Sequence, residues 1–391
     1  MKTRFTHMLS IVIVMTAASE SRAQSVADVL TFLVTNQSVQ TGSIDRDRDA
    51  AQATSNTISR ALRANLATLP VATSSGGFVY RLNPELGTVE RATETFGPFF
   101  IERALTAGPG QASFGLTFQH VRFTSLDGAN LRDGTLVTTA NQFVDEKTPF
   151  DVDALTLDID ADVATFYGNV GLGKRMEVGF AAPMVALRLN GSRTNTYRGR
   201  DFTQATASAR AIGLADLVVR TKYTLYDVAG QGIATAVDVR LPTGSEQDLL
   251  GAGSMAVRFA AIGSIERGRT SGHTNVGISF GGLAREVSYG AAVALAATGR
   301  VTVSGELLGR WLDSFGHIMP LAAPHPRLVG VETIRLTPDA STLNMITVVP
   351  GVKWNVSDTW VLATSVSVPL TSAGLTSRFT PFIGLDYALG K

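Results

Sequence analysis

The chain has 391 residues, with 34 Lys and Arg against 33 Asp and Glu, and it contains no cysteine. Charged residues make up 17% and hydrophobic residues 45%, too little charge to coat several separate cores and too much apolar content for a disordered chain. A net charge of +1 without cysteine excludes a disulfide scaffold, a thiolate nucleophile, a Cys-based zinc site and a nucleic-acid partner held by counterion release.

Residues 1–23 have the layout of a secretory signal: Lys2 and Arg4, an apolar run from Leu9 to Ala18, and Ser21-Arg22-Ala23 at the cleavage position. The apolar run is far below the ~20 residues that span a bilayer as a helix. Lys2, Arg4, Arg22 and Glu20 leave with the signal, so the mature chain from Gln24 carries a net charge of −1.

Residues 24–110 form a separate N-terminal region. It opens with the apolar stretch Val26 to Val34, and a helix is predicted at about 45–69. Asp45, Asp47 and Asp49 start this helix, Ile58, Leu62 and Leu66 form one stripe, and Pro70 stops it. Gly77 to Leu82 and Thr88 to Arg91 would pair across the turn Asn83 to Gly87 and are too short to span a membrane. The region is either a plug inside a barrel or a periplasmic appendage. The plug is favoured because the helix stripe needs burial and the charged lumen described below would otherwise leak; Arg60 and Arg63 would answer its aspartates.

Residues 111–391 alternate with period two almost throughout. Twelve segments are predicted, at about 112–124, 153–165, 175–189, 214–226, 232–241, 254–266, 273–282, 286–297, 301–312, 343–354, 360–370 and 378–389. Most exceed the ~5–6 residues usual in soluble sheets and match the ~9–11 of tilted strands crossing an outer membrane. Even Thr359 to Ser377, which carries no charge, alternates and contains Pro369. Long connections on one side and tight turns on the other, with an even strand count, predict an all-β fold: a closed antiparallel transmembrane β-barrel of about 12 strands, or 14 if the N-terminal pair joins.

The two faces separate by chemistry. Leu155, Leu157, Ile159 and Val163 oppose Asp158, Asp160 and Asp162; Leu217, Val219, Tyr223 and Leu225 oppose Asp216, Arg220 and Lys222; Val237 and Val239 oppose Asp238 and Arg240. Arg258, Glu306 and Arg310 repeat the theme. With apolar faces on lipid, all these charged residues would line the lumen. The aspartate row is either a cation site or is neutralised by Arg220, Lys222 and Arg240 of the same sheet. Parity slips once, from Met176, Val178 and Phe180 to Val185, Leu187 and Leu189, which predicts a bulge near Pro183. Trp354, Trp360, Tyr167 and Tyr226 at short turns would form a periplasmic girdle.

Catalytic signals are weak. The histidines are His7, His120, His273, His317 and His325, without metal-ligand spacing beyond the loop pair His317 and His325. His120, near a strand's upper end, is the candidate for a serine-histidine site. Gly168-x-x-Gly171-x-Gly173 reads as a turn because no helix follows it. No cofactor, resident metal or catalytic residue is assigned, and an enzyme is not the primary reading.

Gly213-Leu214-Ala215-Asp216 with Lys222-Tyr223, Leu241-Pro242-Thr243-Gly244-Ser245, Pro350-Gly351-Val352-Lys353-Trp354, Val368-Pro369-Leu370 and Gly384-x-x-Tyr387 resemble the outer-membrane proteins of the MetA-pathway of phenol degradation family, distantly similar to long-chain fatty-acid transporter barrels. The resemblance covers about 150–391. It implies a channel or transporter for small hydrophobic or aromatic solutes in the outer membrane of a Gram-negative bacterium, with membrane lipid and the outer-membrane assembly machinery as partners. It carries over no catalytic residue. Barrels of this kind usually close on a terminal aromatic, whereas this chain ends Gly390-Lys391. The alternatives are an outer-membrane enzyme acting on lipid or ester, and a structural barrel without transport.

Overall fold

The computed structural model describes residues 24–35, 44–66, 80–83, 88–91, 93–228, 230–357 and 359–389. The signal segment and the end of the predicted 45–69 helix beyond Leu66 lie outside the described residues. Two helices come first, α1 (Val26–Val34) and α2 (Ile44–Leu66). The apolar stretch 26–34 is helical because a capping box starts it: Asp28 N–H donates to Ser25 Oγ at 3.1 Å, and Ser25 N–H donates to the Asp28 carboxylate at 3.3 Å. The hairpin β1 (Tyr80–Asn83) and β2 (Thr88–Arg91) is a sheet of its own. It does not join the barrel.

The remaining strands close into an antiparallel barrel of 12 staves. In chain order these are β3 (Ala112–Leu126), β6 (Asp151–Gly171), β7 (Met176–Tyr197), a stave divided into β8 (Arg200–Leu214) and β9 (Leu217–Val228), β10 (Gln231–Leu241), β11 (Ala256–Arg267), β12 (Thr270–Gly281), β13 (Glu286–Ala296), β14 (Val301–Leu312), β17 (Leu343–Ser357), β18 (Trp360–Pro369) and β20 (Thr380–Leu389). β20 pairs back onto β3, which leaves the ring without an edge. The loop strands β4 (Ala129–Asn130), β5 (Leu136–Phe143), β15 (Ile318–Pro324), β16 (Val331–Pro338) and β19 (Leu375–Ser377) all lie on the long-loop rim, where β15, β16, β5 and β6 form a continuous ladder.

The region 190–213, predicted as a loop, is wall. β6 and β7 run to 21 and 22 residues, and β7 turns into β8 at Arg198-Gly199, both at positive φ (49° and 76°), the backbone that a tight hairpin turn demands. This side of the barrel stands well above the bilayer, since about 9–11 residues suffice to cross it.

An apolar belt surrounds the outside. Phe118, Phe180, Val219, Ile233, Phe259, Val276, Val293, Val303 and Ile383 are all exposed and come from different staves. Trp354, Trp360 and Tyr226 sit exposed at the short-turn end, where aromatic side chains gather at a membrane interface. Tyr167 does not belong to that girdle: it is buried inside, and its hydroxyl donates to Asp386.

The bulge predicted near Pro183 lies in the facing stave and not in β7 itself: β6 and β7 pair without a shift from Asp151↔Tyr197 to Gly171↔Glu177, whereas on the other side of β7 the register moves by one residue between Met184↔Leu214 and Ala181↔Val218, at the break between β8 and β9. What changes is the surroundings. Below Ala182 the outward positions Phe180 and Phe166 are apolar. Above it the inward positions are apolar: Leu155, Leu157, Ile159, Val185, Leu187 and Leu189 are buried in one core with Val26, Leu30 and Leu33 of α1 and Ile58 and Leu62 of α2. The wall leaves lipid at this level and becomes the shell of an internal helical core.

Candidate functional site

That inversion displaces three of the predicted lumen residues. Asp158, Asp160 and Asp162 occupy the outward face of the tall wall, opposite the helix-packed leucines. They are answered there by neighbours on the same surface: Arg132 pairs with Asp158, Arg122 with Asp160 at 3.4 Å, and Arg188 with Asp162 at 2.7 Å. They line no lumen, and Arg220, Lys222 and Arg240 do not reach them. Apolar alternation marks the lipid-facing side only while the strand lies within the bilayer, and it no longer does so once the strand outgrows it. His120 belongs to the same outer row, with Nδ1 2.7 Å from Asp162.

The other eight residues are placed differently. Asp216 is fully buried at the break between β8 and β9, where its carboxylate accepts Gly244 N–H at 3.1 Å and Ala252 N–H at 2.9 Å. It ties down the loop 242–255 rather than lining a path. Arg220, Lys222, Asp238, Arg240, Arg258, Glu306 and Arg310 lie on the inward faces of β9, β10, β11 and β14.

Of these, Arg220, Lys222 and Glu306 meet the segment 93–110, which runs through the barrel along many staves. The Glu306 carboxylate accepts three consecutive backbone N–H groups, those of Phe99, of Phe100 at 2.9 Å and of Ile101 at 3.0 Å. Lys353 donates to Pro98 O at 3.0 Å and lies 4.7 Å from the Phe99 ring centre. Glu102 bridges Arg220 and Lys222, the latter at 3.4 Å, and Lys222 also reaches Glu177 at 2.7 Å and Arg103 O at 3.2 Å. Further along, Ala104 O accepts from Thr224 Oγ1 at 2.7 Å, and Ala107 N–H donates to Glu177 at 2.7 Å. Buried charges are tolerated here because each finds an opposite charge or a backbone dipole.

Glycines make room for this strap. A Cβ on Gly351 would lie 2.4 Å from the Phe99 ring, and one on Gly290 would lie 2.5 Å from Ile101 Cδ1. The strap itself carried no sequence signal of regular structure. Its anchors Glu177 and Lys353 and the neighbouring Asp386 were missed, although their parity places them on inward faces.

Helix α2 closes the other end. Its Arg60 donates to Leu283 O at 3.4 Å and lies 4.7 Å from the Phe315 ring centre, Arg63 pairs with Glu246, and Ala64 O accepts from Arg310 at 3.3 Å. Both arginines therefore engage the long-loop rim and not the aspartate row. Between this helix end and Phe100-Ile101 of the strap lies a cavity of about 200 Å³. Arg220 grips Asp238 through two bonds of 2.5 and 2.8 Å, Arg258 joins Asp238 at 3.0 Å, and Arg310 pairs with Glu286 at 2.7 Å around that cavity.

Among the described residues no helix is long and apolar enough to cross a membrane, and no group of three or more His, Asp or Glu is placed to hold a metal ion. Fold and site together define a class: a closed β-barrel with an apolar belt and a charged interior across which its own N-terminal segment is laid. No family model and no curated protein matches the chain. Among solved structures, an outer membrane channel of Pseudomonas putida F1 is similar at 13% identity, covering 73% of this chain and 98% of its own, with a TM-score of 0.48. The P. putida toluene transporter TodX is 8% identical over 73% of this chain and 91% of its own, with a TM-score of 0.35. The monoaromatic hydrocarbon channel CymD is 8% identical over 73% of this chain and 90% of its own, with a TM-score of 0.27.

Proposed function

We propose that the chain is a gated channel for small hydrophobic or aromatic solutes in the outer membrane of a Gram-negative bacterium. The observation that carries the reading is the cavity of about 200 Å³ bounded by Phe100 and Ile101 below and Ala64 above. A structural barrel filled with side chains has no use for such a chamber, whereas a 12-stave ring is wide enough to hold one. The apolar belt takes membrane lipid as its solvent, and the outer-membrane assembly machinery would insert the barrel. The region 24–110 acts as the plug, with the strap 93–110 as its gate and α1 and α2 as its upper packing.

Reconstitution of the purified barrel into liposomes, with flux measured for a panel of aromatic and aliphatic solutes, tests the reading. Flux of one-ring solutes is expected, and it should rise when the strap's anchors are removed. Absence of flux for every solute, from folded wild type and folded strap variants alike, would overturn it. The hydrolase reading centres on His120 and predicts an ester-cleaving activity that His120→Ala abolishes, measurable in the same preparation.

A further inference from the structure

The outward face of the β7–β8 hairpin changes chemistry in three steps from the membrane upward. The lowest step continues the apolar belt: Met184 stands opposite Leu214 and Ala186 opposite Ile212, with Met184, Ile212 and Leu214 exposed. Directly above, Arg188 of β7 stands opposite Arg210 of β8, and both are exposed. The next rows pair Asn190 with Ser208 and Ser192 with Thr206, short amide and hydroxyl side chains without charge. Successive rows are two residues apart, about 7 Å along a strand. Like charges directly opposite on neighbouring strands oppose pairing, and this arginine pair is only partly answered. Arg188 donates one bond, to Asp162 at 2.7 Å, and its other N–H groups have no protein acceptor among the described residues. Arg210 has no hydrogen bond or ion pair with any described residue, and neither have the side chains of Asn190, Ser192, Thr206 and Ser208. On β3 and β6 this order is missing, because His120 and Arg122 pair with Asp162 and Asp160.

We infer that this face binds a phosphorylated glycolipid of the outer leaflet, on the side where long loops place the exterior. Its acyl chains lie against Met184, Ile212 and Leu214, its phosphate sits between Arg188 and Arg210, and its sugars meet the amide and hydroxyl rows above. The inference does not depend on the channel reading. Guanidinium groups match phosphate oxygens in bidentate geometry and keep their charge at any pH the membrane meets. Asp160 and Asp162, on the neighbouring stave, hold an anion off β6 and confine it to the β7–β8 side. Continuity with the apolar belt decides for a lipid over a free anion, because the arginine pair sits at the upper border of the surface that already meets acyl chains. The order of the steps decides the kind of lipid. A phospholipid without sugars would use the belt and the arginines and leave the rows above them without a counterpart.

Native mass spectrometry of the full chain, released from detergent micelles after mixing with one lipid at a time, tests the site. The probes are lipid A with both phosphates, the same lipid A after enzymatic dephosphorylation, lipopolysaccharide with its core sugars, and phosphatidylglycerol. Lipid A is expected at about tenfold higher affinity than its dephosphorylated form, the margin of one hydrogen bond to a charged group. Core sugars should tighten binding further, and phosphatidylglycerol should bind no better than dephosphorylated lipid A. Arg188→Gln/Arg210→Gln should bring lipid A down to the dephosphorylated level, whereas Arg285→Gln, at another exposed arginine of the long-loop rim, should leave it unchanged. Should the double variant not fold, Arg210→Gln alone decides, since Arg210 has no polar partner to lose, and a several-fold loss is expected. The inference is overturned by equal affinity for the two forms of lipid A, by phosphatidylglycerol binding as well as lipid A, by no gain from core sugars, or by unchanged binding in the folded arginine variants. Displacement of lipid A by inorganic phosphate would mark a free-anion site and overturn it as well.

Discussion

Glu306→Ala tests whether the strap is a gate or a fixed filler. In the native protein one carboxylate accepts the backbone N–H groups of Phe99, Phe100 and Ile101, and Glu306 is buried. Hydrogen bonds to a charged group are worth about 1.5–3 kcal/mol each. Because a single anion serves all three, their loss does not add in full, and about 3–5 kcal/mol is the figure for removing one partner of a buried charged contact. The remaining anchors at Pro98, Glu102, Ala104 and Ala107 hold the rest of the strap, so the loss falls on 98–101, the floor of the chamber. At about 1.4 kcal/mol per factor of ten, the open arrangement of that stretch should become roughly a hundred to several thousand times more populated. Single-channel recording in planar bilayers reads this as a higher open probability, and native-state hydrogen exchange reads it as lost protection at the three amides. Glu306→Gln keeps one acceptor oxygen and should fall between. The reasoning is refuted if Glu306→Ala inserts as a folded barrel with unchanged open probability and unchanged amide protection.

Three further outcomes follow from the geometry. Val276→Arg, midway along β12 on the exposed apolar belt, should cost about 2–4 kcal/mol near the midplane, whereas Asp160→Asn on the tall wall should cost less than about 1 kcal/mol; equilibrium unfolding from liposomes compares them, and equal costs would mean the lipid boundary is misplaced. Gly351→Ala puts a Cβ 2.4 Å from the Phe99 ring, while Gly305→Ala meets nothing within 4 Å; the first should raise conductance and the second should not, by bilayer recording. Asp216→Ala removes the acceptor of two backbone bonds to Gly244 and Ala252 and should open the loop 242–255 to limited proteolysis, at a stability loss of about 2–4 kcal/mol.

The barrel was legible because its two determinants are local and repeated. Alternation needs only that lipid and lumen differ in polarity, and loop asymmetry needs only that the two rims face different compartments. Each of the 12 staves repeats both signals, so an error in one strand does not spread to the next. The exceptions are instructive. The region 190–213 looked like a loop because Asn190, Ser192, Thr194 and Thr196 gave it a polar face; those residues point outward from a wall standing clear of the membrane. The stretch 26–34 looked like any apolar run, and only Ser25 and Asp28, spaced as a capping box, separated helix from strand.

The interior was less legible for a physical reason. A period-two pattern reports which residues share a face, and it does not report which face is inside. On β9 and β10 the apolar face meets lipid, so Arg220, Lys222 and Asp238 point inward. On the upper parts of β6 and β7 the apolar face meets α1 and α2, and Asp158, Asp160 and Asp162 point outward. The clue lay at Pro183, where the apolar residues change from even to odd positions. A bulge and a change of solvent produce the same signature along one strand, and only the second also switches the paired neighbour at the same height. Here β6 switches between Phe166 and Asp162, opposite Ala182 and Ala186 of β7. Two neighbouring strands that exchange their polar faces at one level therefore mark where a barrel wall leaves the membrane and begins to enclose a core of its own.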